Sequence, residues 1–160
     1  MREKTEKVQE TLNLPPIGAR IRNGADGHEE IFDSLRRRYV RLTPEEWVRQ
    51  HFVGYLVGSL HYPAPLLQNE VKLNVNGVER RCDTVLFDRR GGRPRLIVEY
   101  KAPDVALTQR VFQQINSYNS VLRADYLMVS NGREHYCLHL DYVAGRAEFL
   151  ATLPSFKELI

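Results

Sequence analysis

The sequence predicts a mixed α/β fold of the α+β kind: one central mixed sheet flanked by helices, with a small hairpin ahead of it. Three observations carry this. A helix start, Thr43-Pro44-Glu45-Glu46, opens a run whose apolar residues recur at helical spacing. Asn76-Gly77 and Gly91-Gly92 then punctuate three β-rich runs, which reads as a meander. A second amphipathic run follows, and after it two strand runs joined at Asn131-Gly132. The order is helix, three-strand meander, helix, two strands.

Residues 1–13 are polar and charged with little period, and are expected to be mobile or weakly helical. Residues 14–160 are expected to form one domain, with a β extension over 14–42 and a core over 43–150. Within the extension, residues 17–22 and 29–33 flank the cluster Asn23-Gly24-Ala25-Asp26-Gly27 and read as a hairpin, to which 38–42 add a strand. Thr43 suits an N-cap and Pro44 the first helical position, and the acids Glu45 and Glu46 favour the positive end of the helix dipole. Val48, Phe52, Tyr55 and Leu56 form the buried face, and the helix ends before Tyr62-Pro63. The meander occupies 70–75, 78–87 and 95–101. Ala102-Pro103-Asp104 breaks it, and a helix over about 105–122 turns Val111, Phe112, Ile115 and Leu122 inward. Strands are expected at 125–130 and 134–140.

Apolar residues make up 42% of the 160-residue chain and charged residues 27%, the balance of a globular protein with room for one core. No apolar run approaches a membrane span and the charged start lacks a signal-peptide core, so a cytoplasmic protein with no membrane partner is expected. Two cysteines, Cys82 and Cys137, give neither a disulfide framework nor zinc-ribbon spacing. His135, Cys137 and His139 alternate and would share a strand face, but no fourth zinc ligand is evident. The net charge is +3, compatible with a polyanionic partner without demanding one. Arginines cluster at 36–38 with Arg41, at Arg80-Arg81, and at 89–95. No phosphate-loop motif is present.

The acids of the meander need a reason, because carboxylates lower strand propensity. If the second hairpin is symmetric about Gly91, residues equidistant from it sit opposite one another, and Asp83 and Glu99 are such a pair. Lys101, two residues after Glu99, shares its face. Opposed side chains have Cβ atoms only about 4.5–5.5 Å apart, so two facing carboxylates must separate, share a proton or share a cation. A divalent cation with oxygen ligands resolves the conflict; Mg²⁺ commonly takes one or two carboxylates and completes its shell with water and phosphate oxygens. The plainer alternative is a strand-end ion pair, Glu99 with Lys101, beside an unrelated Asp83.

Asp83 followed by Glu99-Tyr100-Lys101 resembles the signature of the PD-(D/E)XK nuclease superfamily, and the element order is similar to its common core. Gln114-Ile-Asn-Ser-Tyr118 matches the Q-x-x-x-Y of the RecB-like branch. The stretches P-E-E-W-V-R-Q-H-F, E-Y-K-A-P and Y-L-M-V-S-N-G resemble the N-terminal nuclease domain of type I restriction enzyme R subunits, in particular short stand-alone forms. The likeness covers roughly residues 29–150. It implies a restriction-endonuclease-like core, Asp83 and Glu99 as metal ligands, Lys101 as the catalytic lysine, and Gln114 and Tyr118 as a helix pair facing the site and the DNA backbone. The family often adds a glutamate from its first helix. Glu45 is expected here in preference to Glu46, because Val48 and Phe52 follow it at plus three and plus seven. Cys82 stands where the motif has proline. The R subunits continue into a helicase motor, and this chain is expected to carry no DNA translocation of its own.

The expectation is therefore a Mg²⁺-dependent DNA endonuclease, with Mn²⁺ as substitute, whose phosphate contacts include Arg80, Arg81 and Arg110 besides Gln114 and Tyr118. The expected partners are DNA, a second copy forming a homodimer, and a partner subunit supplying specificity or motor activity. The alternative is a non-catalytic nucleic-acid-binding or assembly module that retains the fold; RNA as substrate is a third option.

Overall fold

A computed structural model describes residues 8–159. Strands β1 (Ile21–Asn23), β2 (Glu29–Asp33) and β3 (Arg38–Arg41) form a small antiparallel sheet. Helix α1 (Pro44–Gly58) and a 3₁₀ turn at Ala64–Leu66 lead into the main sheet. That sheet has the order β4 (Leu67–Val75), β5 (Val78–Phe87), β6 (Pro94–Tyr100), β7 (Tyr126–Ser130), β8 (His135–Asp141) and β9 (Arg146–Phe149). Helix α2 (Gln109–Leu122) links β6 to β7, which pair in parallel, while every other neighbour is antiparallel. This is the α+β mixed-sheet architecture expected, consistent with a restriction-endonuclease-like fold.

The sheet is a filling between two apolar layers. On one side Val48, Phe52 and Leu56 of α1 pack with Leu86, Leu96, Val98, Tyr100 and Met128. On the other, Val111, Ile115 and Tyr118 of α2 pack with Val85, Ile97, Leu127 and Val129. Because β6 is covered on both faces, its core Leu96-Ile97-Val98 reads as a continuous apolar run and is wholly buried. Thr43 caps α1 as expected, its hydroxyl accepting from the Glu46 amide at 3.1 Å.

Several boundaries differ from the expectation. The strand expected over 17–22 begins only at Ile21. Strand β4 begins three residues before 70, since the 3₁₀ turn delivers it directly. Helix α2 begins at Gln109 rather than 105: Thr108 is its N-cap residue, and Val105, Ala106 and Leu107 before it lie in irregular chain. Strand β9 is not among the expected strands; its four residues alternate polar and apolar but are too few to stand out, and all are exposed. Residues 1–7 lie outside the described residues. Residues 8–13, grouped with them in the expectation, are instead tied down: Leu12 is buried, the Asn13 amide donates to the Gly132 carbonyl at 2.8 Å, and Trp47 Nε1 donates to the Glu10 carbonyl at 2.8 Å. Gly132 admits this contact because a Cβ there would meet Leu12 Cδ2 at 2.8 Å.

Candidate active site

The ladder between β5 and β6 pairs Leu86 with Leu96, Val85 with Ile97 and Thr84 with Val98, each pair equidistant from Gly91. A bulge shifts the register at Phe87, on the turn side. The same register brings Asp83 and Glu99 together as the next pair, but the strands part there. The Tyr100 amide donates to Asp83 Oδ2 at 2.8 Å, so a side chain replaces a backbone acceptor at the mouth of the sheet.

Asp83 and Glu99 are close enough for their carboxyl groups to share a hydrogen bond. Two carboxylates cannot do this without a proton or a cation between them. Glu99 Oε2 is buried and finds no protein donor. Burial first, then the charge of Asp83, pushes the Glu99 pKa far above the usual carboxylate range, against the opposing pull of Lys101. Asp83 is also raised: burial outweighs the lowering by Arg49 and by the Tyr100 amide. Lys101 Nζ lies 3.6 Å from Glu99 Oε1 and donates to Gln114 Oε1 at 2.9 Å. Gln114 Nε2 in turn donates to the Tyr118 hydroxyl at 3.0 Å. Helix α2 thus sets its i, i+4 pair against the lysine, and Asp83, Glu99, Lys101, Gln114 and Tyr118 form one connected constellation.

Glu45 and Glu46 are arranged differently from the expectation. Glu45 is exposed, though its charge is among those that raise Glu99. Glu46 is the buried acid, with Arg36 Nη2 at 2.5 Å and Arg49 Nε at 3.1 Å. Burial thus goes to Glu46, which Arg36 and Arg49 hold, while Glu45 is the one of the two whose charge reaches Glu99. Arg80 and Arg81 are exposed at the far end of β5, Arg81 standing 3.9 Å from Glu70, and Arg110 is exposed in the first turn of α2.

Arg49 and Glu70 are the residues sequence reasoning missed. Arg49 Nη1 donates to the Asp83 carbonyl at 3.1 Å, and Nη2 reaches Glu70 Oε1 at 2.5 Å and Asp83 Oδ1 at 3.7 Å. Burial alone would favour losing its proton, yet Glu46, Asp83 and Glu70 together hold its pKa above the ordinary arginine value. Glu70 lies in β4 between the pairs Asn69–Thr84 and Val71–Cys82, out of the ladder and opposite Asp83, with φ of 57°. A side chain held in the left-handed region inside a strand costs about 1–3 kcal/mol. The signal available for Arg49 was its position: three before Phe52 and seven before Leu56, it stands on the buried stripe of α1.

Among the described residues no three His, Cys, Asp or Glu side chains form a metal cage. What the chain offers is two carboxylates, one with an unsatisfied buried oxygen, and that donor set fits a Mg²⁺ that keeps waters and substrate oxygens in its shell. His135 is engaged by Ser130 and the Asn13 carbonyl, and the His139 ring lies 4.8 Å from that of Tyr126. Two hollows of about 430 and 360 Å³ lie elsewhere and have no acid in their lining. The acids lie where the central strands β5 and β6 part, Glu99 buried and Asp83 half-buried. Among the described residues no helix is long and apolar enough to cross a membrane.

Fold and site together define a nuclease-like domain. The family model for the type I restriction enzyme R protein N terminus matches residues 44–154, and the chain belongs to that family, which links it to restriction systems. No curated protein matches the chain.

Proposed function

We propose that the protein is a divalent-metal-dependent deoxyribonuclease, hydrolysing phosphodiester bonds in DNA. The observation that carries this reading is the buried, donor-free Glu99 Oε2 beside Asp83, two acids whose contact calls for a shared proton or a cation. Asp83 and Glu99 would hold Mg²⁺ or Mn²⁺. Bound there, the ion would polarise a phosphodiester and lower the pKa of a coordinated water. Lys101 has its amine beside Glu99 and fixed by Gln114, where it can stabilise negative charge developing on the phosphate. Tyr118 fixes Gln114 in turn. Arg80 and Arg81, exposed on β5, and Arg110, exposed in the first turn of α2, would hold flanking phosphates. Membership of the R-protein family makes DNA and a partner subunit the natural companions; a homodimer would let two such sites cut both strands.

The test is cleavage of supercoiled plasmid with Mg²⁺ or Mn²⁺. Wild type is expected to nick or linearise it, and Asp83→Ala and Glu99→Ala to lose at least about a hundredfold of the rate, the scale of removing one electrostatic stabiliser. A wild type that cuts nothing with either ion, or a double alanine variant that cuts equally well, overturns the reading. One observation favours a non-catalytic nucleic-acid module instead: Arg49 already supplies Asp83, Glu70 and Glu46 with an internal cation. Calorimetry separates the two, because such a module takes up no Mg²⁺ at Asp83 and Glu99.

A further inference from the structure

The small sheet β1–β3 lies outside the segment matched by the family model, and its two faces differ in kind. The inner face carries Ile31 and Asp33, both buried. Asp33 accepts from Asn69 Nδ2 at 2.9 Å and pairs with Arg36, whose other end holds Glu46 and, through it, Arg49 against Asp83. The sheet is therefore fixed relative to the candidate active site.

The outer face needs a different explanation. Strand pairing sets Arg20, Phe32 and Tyr39 in one row and Arg22, Glu30 and Arg41 in the next, all on one side of the sheet. The Arg20 guanidinium lies 3.8 Å over the Phe32 ring and that of Arg22 3.8 Å over Tyr39. Arg37, exposed with φ of 54°, tops the β2–β3 turn. Glu30 takes Arg22 at 2.9 Å, and Asp26 in the β1–β2 turn feels the charge of Arg41, which also meets His28 at 3.2 Å. Among the described residues no acid pairs with Arg20, Arg37 or Arg41 within ion-pair distance. The core does not use this face. Its aromatic rings hold guanidinium planes flat and leave N–H edges to meet a ligand at little entropic cost.

We propose that this outer face is a second nucleic-acid contact surface, gripping the phosphate backbone through Arg20, Arg22, Arg37 and Arg41. Excess positive charge, forked donors and rings at the surface fit a phosphate polymer better than an apolar or a basic partner. Nucleic acid as occupant rests on the same reading as the proposed function, but the surface does not require the acids to be catalytic.

The experiment is anisotropy of a fluorescent 30-base-pair duplex with the full chain in EDTA, across 50–200 mM NaCl, so that cleavage plays no part. Arg20→Gln/Arg22→Gln/Arg41→Gln is expected to bind at least about tenfold more weakly and to lower the slope of log affinity against log salt by about 2–3, since each phosphate contact contributes about 0.9. Arg37→Asn/Arg41→Gln leaves both ring contacts intact and should lower the slope by about 2. The triple lysine variant should regain most of the slope. The control Arg89→Gln/Arg90→Gln/Arg146→Gln removes equal charge elsewhere and should change binding little. The proposal is overturned by a wild type that binds no duplex, by a control that loses as much as the sheet variants, or by sheet variants that bind as wild type. It is also overturned if the triple variant loses only binding to anionic vesicles. A wild type that binds duplex but cuts no plasmid would instead strike the catalytic reading alone.

Discussion

Tyr100 donates its backbone amide to the side chain of Asp83, 2.8 Å away, at the point where β5 and β6 cease to pair. The acid is thus held by the strand that carries its counterpart, Glu99. Where the strands separate, the register leaves two carboxyl groups in contact.

Glu99→Gln should stabilise the fold at neutral and alkaline pH. The folded pKa of Glu99 stands above its unfolded value, near 4.3 for a free glutamate. As pH rises through that value the unfolded chain gives up the proton while the fold retains it, so stability falls with pH until the folded pKa is passed. The amide removes this loss. Melting curves should show little difference from wild type at pH 4 and a gain of about 2–4 °C at pH 8, the shift of about 1 kcal/mol in a domain of this size. A variant that melts below wild type at pH 8 would show Glu99 to be stabilising as a charge.

Metal uptake should release protons. With Glu99 raised, the acid pair enters the complex at pH 7 carrying a proton that a cation must displace. Calorimetry in buffers of different ionisation enthalpy should give about one proton released per Mg²⁺ bound, and none in Glu99→Gln. Mg²⁺ affinity should rise with pH across the same range.

Arg49→Met should be among the most damaging substitutions in the protein. It leaves Glu46, Glu70 and Asp83 facing one another without their shared cation. Breaking one side of a buried ion network costs about 3–5 kcal/mol, to be read from urea unfolding. Arg49→Met/Glu70→Gln should recover part of that loss. Full additivity of the two changes would mean that Arg49 and Glu70 do not act as a pair.

Gln114→Ala removes the acceptor that fixes Lys101 Nζ and should lower cleavage by about ten- to a hundredfold, the scale of a misplaced catalytic group. Gln114 is half-buried on the helix surface, so the melting temperature should hold within about a degree. Tyr118→Phe, one contact further out, should have the smaller effect on rate.

What the sequence made legible followed from local rules. The turn at Gly91-Gly92 set the register, and the register set the meeting of Asp83 with Glu99 despite a bulge nearer the turn. Thr43 and Pro44 placed the start of α1, and the i, i+4 rule placed Gln114 with Tyr118. What stayed hidden depended on three elements at once. Arg49 gains its meaning from Glu46 on its own helix, Glu70 on β4 and Asp83 on β5, and no period along the chain records that convergence. The left-handed backbone of Glu70 is equally silent, because glutamate is not a residue that advertises it. Residues 8–13 show no pattern because what holds them is distant: Trp47 is 37 positions from Glu10, and Gly132, Arg133 and His135 are more than a hundred away.

Between Glu99 and Lys101 stands Tyr100, fully buried on the opposite side of the sheet, its ring 5.6 Å from that of Phe52 and its hydroxyl donating to Thr84. The acid pair and helix α1 are therefore joined through Tyr100 as well as through Arg49. Loosening of the Phe52 packing on heating should therefore disturb the acids, and the temperature of greatest turnover is expected to fall short of the melting point.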